Sequence, residues 1–128
     1  MKAAILSTAC LLALIPGSVG AHPRATHYRC EATAFSRRGV TQLGTHTERG
    51  VVAADPGLFP LGTVLRVDGA GAYSGSYVVT DTGSKIVGRR IDIYIPSPAR
   101  ARLFGKRTVR VRVLHWGTLT ANEAAPDE

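Results

Sequence analysis

Short apolar runs separated by turns rich in glycine and proline form the dominant pattern of the chain after residue 27. Thr108–Leu114 alternates valine with arginine, which predicts a strand with one buried face and one solvent-exposed face. The other predicted strands are Tyr28–Ser36, Val51–Ala54, Thr63–Val67, Ser76–Thr80 and Ile91–Ile95. Six short strands of this kind predict an all-β fold in which the sheet closes into a small barrel.

One segment has the pattern of a helix. Ser97 can serve as its N-cap, Pro98 suits the first helical position, and Gly105 lies where the helix should end. Leu103 and Phe104 contribute to an apolar face. We therefore expect one short helix over Ser97–Phe104.

The two ends of the chain differ in composition from the part between them. Residues 1–21 combine a positive start, an apolar stretch and a small-residue end, as in a secretory signal peptide cleaved after Ala21. The polar, acidic end of the chain predicts a disordered tail over residues 116–128. These limits leave one domain over residues 28–115, and the expected location is secreted or periplasmic, in the cell envelope.

The chain is basic, with 16 Lys and Arg against 9 Asp and Glu and a net charge of +7. An exported basic protein is attracted to anionic polymers, and a cell wall is the more natural one outside the cell. Charge alone could equally serve solubility. Cleavage after Ala21 would leave Cys30 as the single cysteine, which excludes an internal disulfide and favours a buried apolar role. The histidines lack the spacing of metal ligands, so neither a metal nor a cofactor is expected.

Two aspartates stand out in the stretch Val78–Ile95. Asp92 lies inside an apolar run and faces opposite to Ile91 and Ile93, whereas Asp81 ends the preceding strand. A carboxylate among isoleucines costs free energy unless it is hydrogen-bonded or protonated, so the pattern points to a functional site. The alternative is a surface strand whose Asp92 points to water. Asp55, in Asp55-Pro56-Gly57, is expected to cap a tight turn.

Several ordered motifs resemble one known family, the 3D domain, which is named for three aspartates. The resemblance places these on Asp55, Asp81 and Asp92, and it extends over roughly Tyr28–Leu114. Its motifs are Ala32-Thr33-Ala34-Phe35, Gly50-Val51-Val52-Ala53-Ala54-Asp55-Pro56, Pro60-Leu61-Gly62-Thr63, Asp81-Thr82-Gly83 and Ile91-Asp92-Ile93-Tyr94. The family includes lytic transglycosylases and small stationary-phase survival muralytic proteins. The resemblance implies a double-psi β-barrel that cleaves the glycan of peptidoglycan at the β-1,4 bond between N-acetylmuramic acid and N-acetylglucosamine.

The implied chemistry is that of a lytic transglycosylase. Cleavage of a glycosidic bond needs a carboxylic acid to protonate the leaving oxygen, and the resemblance assigns that role to Asp92. The same group then acts as base on the C6 hydroxyl of the sugar, which gives a 1,6-anhydro end. Asp81 is expected to stay ionised, to hold Asp92 in place and to raise the pKa of Asp92 by like-charge repulsion.

Glycan strands of peptidoglycan are the expected partner of a monomeric chain that does not span a membrane. Gly83 and Gly88 would let the backbone approach the glycan closely. Further expected substrate contacts are Thr41, Lys85 and Tyr94, of which Tyr94 could instead belong to the core.

Two other functions fit parts of the sequence. A small barrel could bind wall glycan without cutting it, although a pure binding module needs no carboxyl group with a raised pKa. Nucleic-acid binding would suit the positive charge, but the export signal and the lack of a run of aromatic residues argue against it.

Overall fold

The computed structural model describes residues 24–119, and six strands in this range close into a barrel. The strands are β1 (His27–Phe35), β2 (Val51–Ala54), β3 (Val64–Asp68), β4 (Gly75–Asp81), β5 (Arg90–Tyr94) and β6 (Arg107–His115). Around the barrel the order is β1-β5-β2-β4-β3-β6, with β6 returning to β1. The predicted signal peptide over residues 1–21 lies outside the described residues.

The barrel is mixed, which distinguishes it from a simple meander. The pairs β1–β5 and β2–β4 are parallel, and the remaining neighbours are antiparallel. Parallel neighbours cannot be joined by a tight hairpin, so the chain crosses the barrel ends between them. The prediction of a small six-stranded double-psi β-barrel with one short helix is confirmed.

The core follows from the alternation of side chains along each strand. In β6, Val109, Val111 and Val113 are buried while the residues between them are exposed. Ile91 and Ile93 of β5 are fully buried on the same inner side. Asp92 must therefore project outward from the barrel wall.

The predicted helix is present as α1 (Pro98–Phe104). The hydroxyl oxygen of its N-cap, Ser97, accepts a hydrogen bond of 3.3 Å from the backbone N–H of Arg100. Gly105 ends it with a φ of 61°, in the left-handed region that favours glycine. Ala101 and Phe104 face the core, whereas Leu103 is exposed. Within residues 24–119, no helix is long and apolar enough to cross a membrane.

The segment after β6 differs from the expectation of a disordered tail that begins at residue 116. The backbone N–H of Gly117 donates a 2.9 Å hydrogen bond to the hydroxyl of Thr63, and Leu119 forms a β-bridge with Leu61. Arg24 lies over the ring of Trp116, 4.9 Å from its centroid. These contacts hold residues 116–119 against the barrel, and the rest of the predicted tail lies outside the described residues.

Candidate active site

Asp81 and Asp92 meet in one row of residues across the outer surface of the barrel. Ala53 of β2 is in register with Asp81 of β4 on one side and with Asp92 of β5 on the other. Thr33 of β1 extends the row, because it pairs with Asp92. The two aspartates are thus two strands apart, about 10 Å between their Cα atoms.

A β-bulge puts Asp81 in this row. The pairing of β2 with β4 shifts by one residue between Val52 and Ala53, so that Thr80 has no register partner in β2. Without the bulge, alternation from the buried Tyr77 and Val79 would point Asp81 into the core. The extra residue turns the carboxyl group outward, as bulges beside active sites often do.

Asp92 is half-buried and held by a neighbouring hydroxyl. The hydroxyl of Thr33 donates a 2.9 Å hydrogen bond to Oδ1 of Asp92. Burial raises the pKa of Asp92, and the hydrogen bond from Thr33 opposes part of that rise. A raised pKa was expected, but its cause is burial and not repulsion from Asp81. Asp81 was also expected to hold Asp92 in place, but the side chain that does so is Thr33.

Asp81 is fixed by backbone donors. Its Oδ1 accepts hydrogen bonds from the backbone N–H of Gln42, at 3.1 Å, and of Thr82, at 2.9 Å. The first of these ties the loop between β1 and β2 to the end of β4. Asp81 therefore both orders the loop and presents its carboxyl group at the site.

A cleft of about 500 Å³ contains both aspartates. Ala53 forms its floor, since a larger side chain there would fill the space between the two carboxyl groups. Gly83 is the one predicted substrate-binding glycine that lines it. Its remaining lining residues are Phe35, Ser36, Arg37, Thr82 and Ile86.

Asp55 lies outside the cleft, and its carboxylate accepts hydrogen bonds from two loops. Its Oδ1 accepts a 2.9 Å hydrogen bond from the backbone N–H of Gly57, which is the turn cap predicted from the sequence. Its Oδ2 accepts a 2.7 Å bond from the backbone N–H of Gly88. Gly88 has a φ of 69°, which explains the glycine, and its N–H is already used by Asp55. The structure thus gives Gly88 a role in loop geometry, and glycan contact by Gly88 stays a prediction.

The other predicted substrate contacts are not gathered at the cleft. Thr41 is buried, and its hydroxyl hydrogen-bonds that of Thr45 at 2.9 Å. Lys85 is exposed on the β4–β5 loop, where its carbonyl accepts a bond from Arg90. Tyr94 is buried beneath Phe35, with 5.4 Å between ring centroids. Phe35, rather than Tyr94, is the aromatic residue that reaches the cleft.

The remaining candidate groups lie apart from this cleft. Cys30 is buried, and burial raises the pKa of its thiol to about 11, so it stays protonated at neutral pH. Within residues 24–119, no group of three or more His, Cys, Asp or Glu side chains could hold a metal ion.

Sequence reasoning missed Thr33, Phe35 and Arg37 as site residues. The strand Tyr28–Ser36 was predicted, but its position beside β5 was not. A threonine in a strand carries no signal until its partner is known. The resemblance motif Ala32-Thr33-Ala34-Phe35 was the one available pointer to this strand.

Comparison with known proteins gives a family and two groups of relatives. The family model for the 3D domain matches residues 50–115. Two relatives from Bacillus subtilis (strain 168) are YabE, named for cell wall shaping, and the cell wall-binding protein YocH. YabE is 38% identical over 92 residues, which cover 70% of this chain and 22% of YabE. YocH is 37% identical over 93 residues, which cover 66% of this chain and 31% of YocH. The matched part is thus less than a third of either relative.

Two solved structures are similar to the barrel. The Streptomyces papain inhibitor has a TM-score of 0.56 and 17% identity, and the match covers 73% of this chain and 98% of that one. This likeness shows a shared fold. The lytic transglycosylase MltA from Escherichia coli has a TM-score of 0.49 and 26% identity, with 64% of this chain and 29% of that chain covered.

Proposed function

The chain belongs to the 3D domain family, and from that premise we propose that it cleaves the glycan strands of peptidoglycan as an exported cell-envelope enzyme. The bond is the β-1,4 linkage between N-acetylmuramic acid and N-acetylglucosamine. One observation carries the proposal. A half-buried carboxyl group with a raised pKa stands in an open cleft, oriented by a hydroxyl on the next strand.

A general acid must be protonated at the operating pH and yet reach the substrate. Burial favours the neutral form of Asp92, which is the form that donates a proton. The cleft keeps this group accessible, because Asp92 lines it together with Asp81. Within residues 24–119, no Lys or Arg side chain forms an ion pair with Asp92 that would favour its charged form.

The reaction proceeds with one acid that becomes the base. Asp92 gives its proton to the glycosidic oxygen as the bond from C1 of the muramic acid breaks, which releases a free 4-hydroxyl on N-acetylglucosamine. The carboxylate of Asp92 then takes the proton of the C6 hydroxyl as that oxygen bonds to C1. The product carries a 1,6-anhydro end, no water is consumed, and Asp92 is again protonated.

Asp81 contributes charge to the same step. The sugar ring becomes oxocarbenium-like and positive as the bond breaks. A carboxylate held by two backbone N–H groups is placed rigidly across the cleft from Asp92, where it can stabilise that charge. Phe35 offers an aromatic face to the sugar, and Arg37 offers hydrogen-bond donors.

The two relatives favour a second candidate, because YocH is named as wall-binding and YabE for wall shaping. In this alternative the cleft binds glycan without cutting it. Incubation of the protein with purified peptidoglycan separates the two, with the soluble products identified by mass spectrometry. Release of 1,6-anhydro muropeptides supports the enzyme, whereas sedimentation with the wall and no soluble product supports the binding module.

A further inference from the structure

Four arginines lie on adjacent strands at the barrel face opposite the cleft. In the closed strand order, β6 lies opposite β2, whose Ala53 is the floor of the cleft. Arg110 and Arg112 of β6 point outward, and both are exposed between buried valines. The flanking strands add two more arginines, Arg29 of β1 and Arg66 of β3. We call Arg29, Arg66, Arg110 and Arg112 the arginine face.

The register of the strands sets these arginines directly opposite each other. Arg29 pairs with Arg110, and Arg66 pairs with Arg112. Like charges directly opposite one another destabilise a sheet, so this arrangement works against folding. Two such pairs side by side indicate that the positive charge serves something other than stability.

Little negative charge lies on this face. Asp68 of β3 is directly opposite Arg110 in register, but its ion pair is with Arg66, at 3.2 Å. Glu31, further along β1, is paired with Arg90 at 2.9 Å. Within residues 24–119, Arg29, Arg110 and Arg112 have no ion pair. Their guanidinium groups are therefore available to an external anion.

The geometry of the face fits a chain of phosphates. Arg110 and Arg112 are two residues apart on one strand, about 7 Å, and neighbouring strands are about 5 Å apart. A groove of about 580 Å³ runs between them, and its lining residues are His27, Tyr28, Arg29, Asp68, Arg110, Val111 and Arg112. The planar guanidinium group binds phosphate through two parallel hydrogen bonds, which an ammonium group cannot do.

Among the described residues, the groove presents no exposed Phe, Tyr or Trp ring on which a nucleic-acid base could stack. Tyr28, the one Phe, Tyr or Trp residue that lines the groove, is half-buried and packs edge-on against Phe59, with centroids 5.0 Å apart. Proteins that bind single-stranded nucleic acid combine positive charge with exposed aromatic rings. From these observations we infer that the arginine face binds a linear phosphodiester polymer without bases, as a component of the same cell wall.

This inference stands apart from the chemistry of the cleft. The arginine face and the cleft share no residue, although β1 contributes Arg29 to one and Phe35 to the other, so loss of one should leave the other intact. A chain held on a wall polymer by one face would present its opposite face to neighbouring glycan. Asp92→Asn, which tests the cleft, should bind the polymer as tightly as the wild type.

The test is a titration of the full chain into fluorescently labelled poly(glycerol phosphate), followed by anisotropy at several salt concentrations. The face variant combines Arg29→Gln, Arg110→Gln and Arg112→Gln. A matched variant combines Arg100→Gln, Arg102→Gln and Lys106→Gln, which removes the same charge from exposed positions around α1. The face variant should lose at least about tenfold in affinity, and the slope of log K against log salt should become shallower by about two. The matched variant should change less than about threefold.

Thermal unfolding of the face variant shows whether a loss of affinity is due to misfolding. Its thermal midpoint should equal or exceed that of the wild type, because each opposed arginine pair is relieved. Equal loss of affinity in both triple variants would show that binding depends only on the net charge of the protein, and it would overturn the inference. If polyglutamate of equal length bound as tightly, the arginine face would have no preference for phosphate, and the inference would be overturned. Tighter binding of a single-stranded polynucleotide would assign the face to nucleic acid, and it too would overturn the inference.

Discussion

The hydroxyl of Thr33 donates a 2.9 Å hydrogen bond to the carboxyl group of Asp92 across the parallel pair β1–β5. This bond stabilises the charged form of Asp92 and so opposes the effect of burial on its pKa. Thr33→Val keeps the size of the side chain and removes the donor, so the pKa of Asp92 should rise further. Because the acid must be protonated, the alkaline limb of kcat/KM should move to higher pH.

The matched control at this position is Thr33→Ser, which retains a hydroxyl and should keep the wild-type pH profile. The measurement is the rate of muropeptide release across the pH range. A Thr33→Val profile identical to that of the wild type would show that the hydrogen bond does not tune the catalytic group.

Asp81 can be tested for charge separately from structure. Both of its backbone donors bind the same oxygen, Oδ1, and the amide oxygen of Asp81→Asn can accept both bonds. This variant should unfold within about 0.5 kcal/mol of the wild type, while its rate falls about tenfold to a hundredfold because the negative charge is lost. Asp81→Ala leaves both N–H groups without this acceptor and should cost a further ~1–3 kcal/mol of stability. Chemical unfolding and initial rates on peptidoglycan provide the two readouts. An Asp81→Asn rate equal to the wild-type rate would contradict a role for the charge.

Gly88 separates loop geometry from substrate contact. Its φ of 69° disfavours alanine, and no heavy atom lies within 4 Å of the place where a Cβ would stand. Gly88→Ala should therefore cost about 1–2 kcal/mol of stability through the backbone alone, with KM unchanged. Gly39→Ala is the matched control, since it also has open space and its φ is not positive. A large increase in KM for a folded Gly88→Ala variant would restore Gly88 as a glycan contact.

The rings of Phe35 and Tyr94 contact each other at a tilt of 53°, and only Phe35 of the two reaches the cleft. Phe35→Leu removes the aromatic face and should raise KM about fivefold, the equivalent of about 1 kcal/mol. Tyr94→Phe removes a hydroxyl from a buried residue and should leave KM near the wild-type value. Steady-state kinetics on solubilised glycan strands measure both. A larger effect of Tyr94→Phe than of Phe35→Leu would reverse the assignment.

The sequence contained most of the information on the strands and little on their neighbours. Alternation of Val and Arg over Thr108–Leu114 predicted β6 to within one residue at each end. Alternation along β5 also predicted correctly that Asp92 points outward, because both flanking isoleucines are core residues. Local patterns of this kind depend on the chain itself and can be recognised without a structure.

Long-range relationships were not accessible in this way. Thr33 and Asp92 are 59 residues apart, and their contact depends on the parallel pairing of β1 with β5. The bulge at Thr80 breaks the alternation of β4, so a regular reading of that strand would have buried Asp81. The bond from Gly88 to Asp55 joins two loops that are adjacent only in the closed barrel. Each of these features depends on register, which single-sequence patterns do not specify.

The stability of the key variant can be predicted before its activity. Burial raises the pKa of Asp92 above its unfolded value. The stabilising contribution of its protonated form is therefore full at acid pH and is lost as the pH rises through the folded pKa. Asp92→Asn cannot ionise and so avoids the charged form that burial disfavours, and its amide oxygen can still accept the bond from Thr33. Its thermal midpoint at neutral pH should equal or exceed that of the wild type.

The most direct test of the catalytic role of Asp92 is mass spectrometry of the products released from purified peptidoglycan by wild-type protein and by Asp92→Asn. The wild type should release fragments with 1,6-anhydro ends. The folded variant should release them about a hundredfold to ten-thousandfold more slowly, because it cannot transfer a proton. Reducing ends from the wild type would make the enzyme a hydrolase with the same acid. Cutting by Asp92→Asn at the wild-type rate would contradict the catalytic assignment of Asp92.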